Sequence, residues 1–417
     1  MSSLTDNDLH ARVHRIVHNT PIVDIHTHLF PPTFNTLFSY GIDDILTYHY
    51  LIEDFFCKKR NINPKLFFSK SKEEQARLVW EVLFVENTPL SEACRGVITI
   101  LEIFKLEGKN YDEIKEFFDA HKNNLNDYTS LIFALTKISH VYMTNNLFDL
   151  NEMYYWENNT DVHYKFQSTY RLDVLLDSKK AELILGVMSA LHLKSNSVIN
   201  LSDKYISAVF TYLNSYLDRI KPEYIMLSLS YNIASDEYAN LVLTKIIIPY
   251  AKQTKLSIFL KLGTDRQANP ELQLAGDSLG DVDMGWLRDI CKNNPDVRFA
   301  VTVLSMNNQH TLAVLCKKFQ NLYIYGCWWY CNTPSQIRAI TNMRLELLGN
   351  TFTFQHSDSR VMEQLLYKWE HSKKILIDIL NEKYQDLEQK GYAINDNKIR
   401  KDITSLFGHD LLTFLKR

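Results

Sequence analysis

Short apolar segments alternate with amphipathic segments from about residue 137 onward, and this alternation constrains the fold more than any other feature of the chain. The apolar segments are rich in β-branched and aromatic residues and predict strands, while the segments between them repeat apolar residues at helical spacing. Strand alternating with helix is typical of α/β proteins with a parallel sheet, and eight such strands close a (β/α)8 TIM barrel. The eight predicted strands are 22–25, 139–144, 163–170, 224–230, 256–263, 298–305, 321–326 and 351–356.

A long region after the first strand, at about 30–136, is aromatic, helical in period and poor in strand signals. Ser71 and Glu74 have the spacing of a capping box at the start of one of its helices. No linker rich in glycine and proline flanks this region, so we interpret it as a helical insertion within a single barrel domain that spans residues 1–417. The predicted helices are 5–19, 71–80, 91–104, 111–122, 234–254, 282–294, 308–319, 335–348 and two C-terminal helices at 359–389 and 396–416.

The composition excludes several classes of protein. The chain has 417 residues and a formal net charge of −3, which argues against binding of nucleic acid. No stretch is long and apolar enough to predict a membrane span, and the N-terminus lacks an apolar signal core. Six cysteines without Cys-x-x-Cys spacing predict reduced thiols, and we therefore expect a cytoplasmic protein.

The first predicted strand ends in a His-x-His motif, His26 and His28. Side chains alternate between the two faces of a strand, so both imidazoles point to the same side and can share one metal ion. The last predicted strand ends close to Asp358, and the first and last strands are neighbours in a closed barrel. Two nitrogens and one carboxylate oxygen leave ligand positions open, as in catalytic metal sites. An alternative role for Asp358 is to cap a helix that begins at Ser359.

Other candidate site residues also follow predicted strands, where barrel enzymes carry their active sites. Arg171 ends the third strand and Arg360 lies just beyond the eighth, and two guanidinium groups beside a metal suggest an anionic substrate. Either arginine could instead form a structural ion pair. Trp328 and Trp329 follow the seventh strand and could form a flat wall for a sugar, or simply cover the barrel.

Two further segments carry residues suited to proton transfer or to binding an anion. His49 and Tyr50 are candidates for proton transfer if the start of the helical region folds over the barrel mouth, although an aromatic cluster is more often packing. Lys261 lies near the end of the fifth strand, where it could contact substrate or pair with Asp265.

Six motifs distributed along the chain are 24–29 (DIHTHL), 47–51 (TYHYL), 91–97 (SEACRGV), 143–145 (MTN), 326–329 (GCWW) and 356–360 (HSDSR). Together they resemble the uronate isomerase (glucuronate isomerase) family of the amidohydrolase superfamily. The resemblance covers essentially the whole chain, including the terminal helices.

The resemblance implies a metal-dependent aldose–ketose isomerase that interconverts D-glucuronate with D-fructuronate and D-galacturonate with D-tagaturonate. It implies one divalent ion, zinc, bound by His26, His28 and Asp358. By the same resemblance, the residues that line the sugar site are His49, Tyr50, Arg171, Trp329 and Arg360.

An aldose becomes a ketose when a base removes the proton on C2 and a proton returns to C1, through an enediol. We assign the base to Asp358 and the relay of a proton between the two hydroxyl oxygens to Tyr50. Arg360 is expected to stabilise negative charge on the enediol or to bind the uronate carboxylate. This chemistry needs no redox cofactor.

The chain departs from the family pattern at two places near the end of the fifth strand. Residues 260–263 stand where part of the family carries a histidine, and residues 264–270 stand where close relatives are more basic. The first departure bears on metal affinity and the second on substrate choice.

Two other functions remain alternatives at this stage. A metal-dependent hydrolase or decarboxylase could use the same barrel, but the strand at 224–230 has no lysine to bridge a second metal. A non-catalytic sugar-acid binding protein is the other alternative, and the presence of His49, Tyr50 and Asp358 argues against it. The expected partner is a small hexuronate, with neither nucleic acid nor membrane, and we expect a homo-oligomer.

Overall fold

A ring of parallel strands surrounds the interior of the protein. The computed structural model describes residues 2–158, 163–180, 184, 186, 188 and 201–416. A short antiparallel strand, β7, pairs with β6 outside the ring. The strands are β1 Ile22–Asp24, β2 Ile138–Tyr142, β3 Phe166–Gln167, β4 Tyr170–Arg171, β5 Tyr224–Ser230, β6 Ser257–Asp265, β7 Ser278–Leu279, β8 Phe299–Val303 and β9 Leu322–Ile324.

Backbone pairing closes the ring. One sheet has the order β1–β2–β3 and the other has the order β4–β5–β6–β8–β9. A parallel bridge between Asn145 and Tyr170 joins the two sheets on one side. On the other side Thr353 bridges to Tyr325, and the Asp358 N–H donates to the His26 carbonyl at 3.2 Å. The predicted α/β fold of the TIM-barrel type is therefore confirmed.

Two predicted strands differ from the observed ones, while the others overlap them. The prediction of one strand at 163–170 is wrong, because the chain changes partner there: β3 pairs with β2, whereas β4 pairs with β5. The prediction at 351–356 is also wrong as a full strand. The Thr353 N–H donates to the Ile324 carbonyl of β9, but the Phe354 N–H, which faces the side where β1 would pair, donates to the Leu406 carbonyl at 2.8 Å instead. The predicted strand 351–356 is therefore reduced to one isolated bridge, between Thr353 and Tyr325.

The helices follow the predicted order, with three corrections. The predicted helix 359–389 begins only at Gln364, because the Gln364 side chain accepts the N–H groups of Arg360 and Val361 and holds those residues in a turn. The predicted helices 234–254 and 396–416 are each divided by a π-helical turn. The helices are α1 Ser2–Asn19, α2 Gly41–Leu46, α3 His49–Lys58, α4 Pro64–Phe68, α5 Lys72–Trp80, α6 Glu92–Ile103, α7 Tyr111–Asp119, α8 Leu125–Thr136, α9 Leu150–Asn158, α10 Asp203–Ile220, α11 Glu237–Val242, α12 Ile248–Thr254, α13 Met284–Asn293, α14 Met306–Cys316, α15 Pro334–Leu348, α16 Gln364–Gln389, α17 Asp396–Thr404 and α18 Asp410–Lys416.

The region between β1 and β2 is helical, as its periodicity predicts. The capping box at the start of α5 is confirmed, with Ser71 and Glu74 each accepting the other's backbone N–H. Helix α6 lies close against α16, where a Cβ on Gly96 would come within 2.7 Å of the Tyr367 ring. The description of this region as an insertion in a single domain stays a prediction.

The C-terminal helix α18 closes the interior of the barrel. Leu411 and Leu415 are buried with Val23 and with aromatic residues of the other strands. Gly408 allows the chain before α18 to pass close to β1. Its φ is +94°, and a Cβ there would lie 2.8 Å from the Val23 carbonyl oxygen. The end of the chain thus fills one mouth of the barrel, and the candidate site lies at the other, carboxyl end of the strands.

Several surface and composition predictions can also be compared with the structure. His10 and His14 are exposed and His18 is half-buried. The six cysteines are unpaired, and Cys57 is exposed. Across the described residues, every helix is too short or too polar to span a membrane.

Candidate active site

The His-x-His motif follows the carboxyl end of β1, where the Thr27 N–H still donates to the Tyr142 carbonyl at 2.8 Å. The His26 side chain is fully buried, and that of His28 is 15% exposed. Both imidazoles turn towards Asp358: its Oδ1 lies 2.9 Å from His26 Nε2 and 3.4 Å from His28 Nε2. The three residues predicted as metal ligands are therefore brought together, across the closure of the barrel.

Asp358 is held by backbone contacts to β1 and its extension, not by a helix start. Its φ is +53°, in the left-handed region that a non-glycine residue enters only when its surroundings enforce it. The His28 N–H donates to the Ser359 carbonyl at 2.8 Å, alongside the bond from Asp358 to His26. The alternative that Asp358 caps a helix is wrong, because α16 begins six residues later.

Asp24 also positions this segment, and the sequence analysis did not identify it. Its Oδ1 accepts the Ser357 N–H at 3.1 Å, and its Oδ2 accepts the Trp369 Nε1–H at 2.8 Å. Burial raises the pKa of Asp24 to about 6. A carboxylate inside an otherwise apolar strand was the available signal, because a fully buried acid needs partners.

The arrangement of the three donors fits one divalent ion. Asp358 Oδ1 lies 2.9 Å and 3.4 Å from the two Nε2 atoms, close to the separation of about 3.4 Å between neighbouring ligands of a tetrahedral zinc ion bound at about 2.1 Å. His28 Nδ1 lies 2.8 Å from Thr144 Oγ1, a contact that fixes the ring with Nε2 towards the site. Burial is the main cause that lowers the pKa of His26 to about 4 and the pKa of His28 well below its usual value. Both imidazoles are therefore neutral near pH 7, which is the form that binds metals.

Lys261 reaches two of these three residues, His26 and Asp358, from β6. Its Nζ lies 2.5 Å from Asp358 Oδ1 and 2.9 Å from His26 Nε2, and its side chain is 3% exposed. The interpretation that Lys261 pairs with Asp265 is therefore wrong. Burial acts to raise the pKa of Asp358, but the Lys261 charge and the contacts with the two histidines outweigh it and hold that pKa well below its usual range. Asp358 is thus a carboxylate at neutral pH.

A cavity opens in front of this centre and collects most of the predicted site residues. Its walls carry four cationic side chains, those of Arg171, Lys261, Arg266 and Arg360. Trp328 and Trp329 form an aromatic side, although their ring planes are tilted by 47° and do not make one flat wall. The cavity is lined by His28, His49, Arg171, Met226, Ser228, Lys261, Arg266, Leu274, Asp277, Trp328, Trp329, Asp358 and Arg360.

Comparison with known proteins was made by sequence and by structure. No protein-family model and no curated protein matches the sequence. A crystal structure of a uronate isomerase from Bacillus halodurans C-125 superposes with a TM-score of 0.93 and 34% sequence identity, covering 99% of this chain and 97% of the other. The chain belongs to the uronate isomerase family.

More distant structures share the fold of this uronate isomerase family member. A uronate isomerase from Thermotoga maritima has a TM-score of 0.76 at 15% identity and covers 97% of each chain. A glucuronate isomerase from Caulobacter crescentus has a TM-score of 0.78 at 14% identity, covering 100% of this chain and 95% of the other. A metal-dependent hydrolase structure from Lactobacillus casei ATCC 334 has a TM-score of 0.53 at 10% identity, covering 96% and 98%.

The cavity arginines of this uronate isomerase family member differ in whether their guanidinium groups already form hydrogen bonds with neighbouring side chains. Arg171 donates from Nε and Nη2 to the Asp173 carboxylate, at 2.7 and 3.0 Å. Arg266, which the sequence analysis did not single out, donates to Asp277 at 2.5 Å and to Ser228. Among the described residues, the Arg360 guanidinium makes no hydrogen bond or ion pair. It is therefore the arginine most available to a ligand.

The predicted proton-transfer residues begin α3 and lie beside the cavity. The His49 ring is 5.6 Å from that of Trp329, and the Tyr50 ring stacks over Trp329 at 6.4 Å. Burial, followed by the Arg360 charge, lowers the pKa of His49 well below its usual value. Burial raises the pKa of Tyr50 well above its usual value, and within the described part of the chain its buried hydroxyl has no hydrogen-bond partner. Tyr50 lies behind the cavity wall and not in it.

Proposed function

We propose that this protein interconverts D-glucuronate with D-fructuronate and D-galacturonate with D-tagaturonate. The observation that carries the proposal is a carboxylate, Asp358, at the base of a cavity whose walls hold several guanidinium groups. A base beside fixed positive charge suits removal of a proton from an anionic sugar. The likeness to the Bacillus halodurans uronate isomerase supports the same activity.

The positive charge of the cavity supports a monoanionic substrate. Asp173 and Asp277 already neutralise Arg171 and Arg266, and Asp358 neutralises Lys261. The Arg360 guanidinium is left to meet the uronate carboxylate or the negative charge that develops on the enediol oxygens. Arg171 keeps an N–H, on Nη1, for a second contact with the sugar.

The proton steps follow from the states of the side chains. In the aldose-to-ketose direction the Asp358 carboxylate takes the proton from C2, and the electron pair moves to give the enediol. The Tyr50 hydroxyl is protonated and lies against His49, which lines the cavity, so Tyr50 can supply a proton to O1 and recover one from O2 by way of the His49 imidazole. Asp358 returns its proton to C1 and completes the ketose. The neutral His49 imidazole beside Tyr50 can hold or pass a proton in either step.

His26, His28 and Asp358 would hold one divalent ion, and we propose zinc. When bound there, the ion supplies a Lewis acid that polarises a substrate oxygen. We also propose that the protein acts in the cytoplasm. We further propose that it forms a homo-oligomer, because the helices outside the barrel carry many aromatic residues that could pack against a second copy. Light scattering coupled to gel filtration tests the assembly.

The activity is tested by NMR in D₂O. The purified protein, supplied with Zn²⁺, is mixed with D-glucuronate and separately with D-galacturonate, and a chelator-treated sample is the metal control. Formation of the matching ketose supports the proposal and ranks the two sugars, and deuterium at C1 reports exchange of the transferred proton with solvent. Failure of folded, zinc-supplied protein to convert either sugar would refute it.

A further inference from the structure

Lys261 is the one β6 residue in the stretch 260–262 whose side chain turns towards the site. Leu260 and Leu262, its neighbours in sequence, are packed in the core between strands and helices, as alternation along a strand requires. Lys261 therefore points into the barrel, where its side chain is 3% exposed. A lysine this deeply buried needs partners for its charge.

The partners of Lys261 are two of the three residues that fit a divalent ion. Its Nζ donates to Asp358 Oδ1 at 2.5 Å and contacts His26 Nε2 at 2.9 Å. Its Nζ also lies 4.4 Å from the centroid of the Trp328 ring. All the polar contacts of the Lys261 ammonium within the described residues are therefore with would-be ion ligands.

An ion and the lysine cannot use these atoms together. A neutral imidazole has one unprotonated nitrogen with a single free lone pair, so His26 Nε2 can accept a hydrogen bond from the Lys261 ammonium or bind an ion, but not both at once. An ion about 2.1 Å from Asp358 Oδ1 would also lie within about 4.6 Å of Nζ, so that two positive charges would share one small buried space.

We propose that Lys261 is a built-in competitor of the divalent ion at this site. The ion binds only by displacing the Lys261 ammonium from His26 and Asp358, and its affinity is reduced by the cost of breaking those contacts. In the absence of the ion, the ammonium keeps the two ligands together. The proposal deepens the proposed function, since it concerns how the same centre takes up its ion.

The test compares Zn²⁺ affinity in the wild-type chain and in Lys261→Met. Chelator-treated protein is titrated with Zn²⁺ in competition with a chromophoric chelator, a readout that is independent of turnover. We expect Lys261→Met to bind Zn²⁺ about 10- to 100-fold more tightly, the factor that loss of one competing charge-assisted hydrogen bond corresponds to. Lys373→Met is the matched control: Lys373 is also buried, but its Nζ donates to the Thr136 carbonyl, outside the site. It should leave the affinity at the wild-type value.

Lys261→Gln provides a second neutral side chain in case the methionine variant does not fold. The rise in melting temperature on adding Zn²⁺ should also be larger in either variant than in the wild type, because the ion then binds the folded state more tightly. Equal or weaker Zn²⁺ binding by both variants would overturn the proposal, and weaker binding would make Lys261 a ligand instead. A change in Zn²⁺ affinity without any isomerase activity would uphold the competition and refute the proposed function.

Discussion

Replacing Asp24 with asparagine removes a buried charge while keeping the size of the side chain. Asp24 lies at the end of β1 and accepts hydrogen bonds from Ser357 and Trp369. The substitution therefore acts on the contacts that hold the segment before Asp358, without touching the cavity. Its effect on stability should depend on pH in a way that reports the charge of Asp24 itself.

The magnitude follows from the pKa of Asp24, which burial raises from 3.8 to about 6 in the folded protein. Between these two values the folded state holds a proton on Asp24 that the unfolded chain has lost. The stabilisation from this proton is complete below the unfolded pKa and is lost as the pH rises through the folded pKa. Relative to Asp24→Asn, the wild type should gain about 2 kcal/mol between about pH 7.5 and about pH 4.5, out of about 3 kcal/mol for the whole shift.

Equilibrium urea unfolding followed by circular dichroism measures this difference. The free energy of unfolding is determined for the wild type and for Asp24→Asn at several pH values, so that titration of all other groups cancels. Asp218→Asn, at an exposed position, is the control, and its difference from the wild type should not vary in this way. A difference between wild type and Asp24→Asn that stays constant over the same pH range would refute the interpretation of Asp24 as a costly buried carboxylate.

Three further outcomes follow from the site and the fold. Tyr50→Phe should lower kcat by about 10²-fold or more, because a group that donates and accepts protons is lost. The melting temperature should stay unchanged, because the Tyr50 hydroxyl has no hydrogen-bond partner among the described residues. A kcat near the wild-type value would remove Tyr50 from the proton relay. Arg360→Gln should raise KM for the uronate about tenfold or more in initial-rate assays, through loss of a charge-assisted hydrogen bond, and an unchanged KM would place the substrate carboxylate elsewhere. Gly408→Ala should lower the free energy of unfolding by about 1–3 kcal/mol, because the new Cβ would meet the Val23 carbonyl oxygen. Gly108 also has a positive φ, but a Cβ there would meet no other atom, so Gly108→Ala should cost less. Equal losses for the two variants in urea unfolding would contradict this.

Much of the fold could be predicted from local patterns in the sequence. The strand predicted at 224–230 matches β5 residue for residue, because a short apolar run that follows Pro222 and Glu223 leaves little choice. The cap at Ser71 follows from two residues three apart, and the His-x-His motif brings both imidazoles to one side by strand geometry alone. Asp358 could be added because the first and last strands of a barrel must meet.

The parts that sequence analysis missed depend on contacts between distant residues. The partner of Lys261 is Asp358 and not the nearby Asp265, since β6 faces the end of the eighth segment across the barrel. The strand predicted at 351–356 is cut short by a bond to Leu406 from the C-terminal region. The start of α16 is set by a side chain, that of Gln364, which binds backbone groups before it. None of these contacts leaves a periodic signal in the sequence.

Isomerisation of D-glucuronate deuterated at C2 tests the central claim most directly. If a base in this site removes the C2 proton, the deuterated sugar should react more slowly than the ordinary one, and D-fructuronate should be the product seen by NMR. An equal rate for both sugars under conditions in which chemistry limits turnover, or consumption of the sugar without formation of the ketose, would contradict the proposed proton transfer.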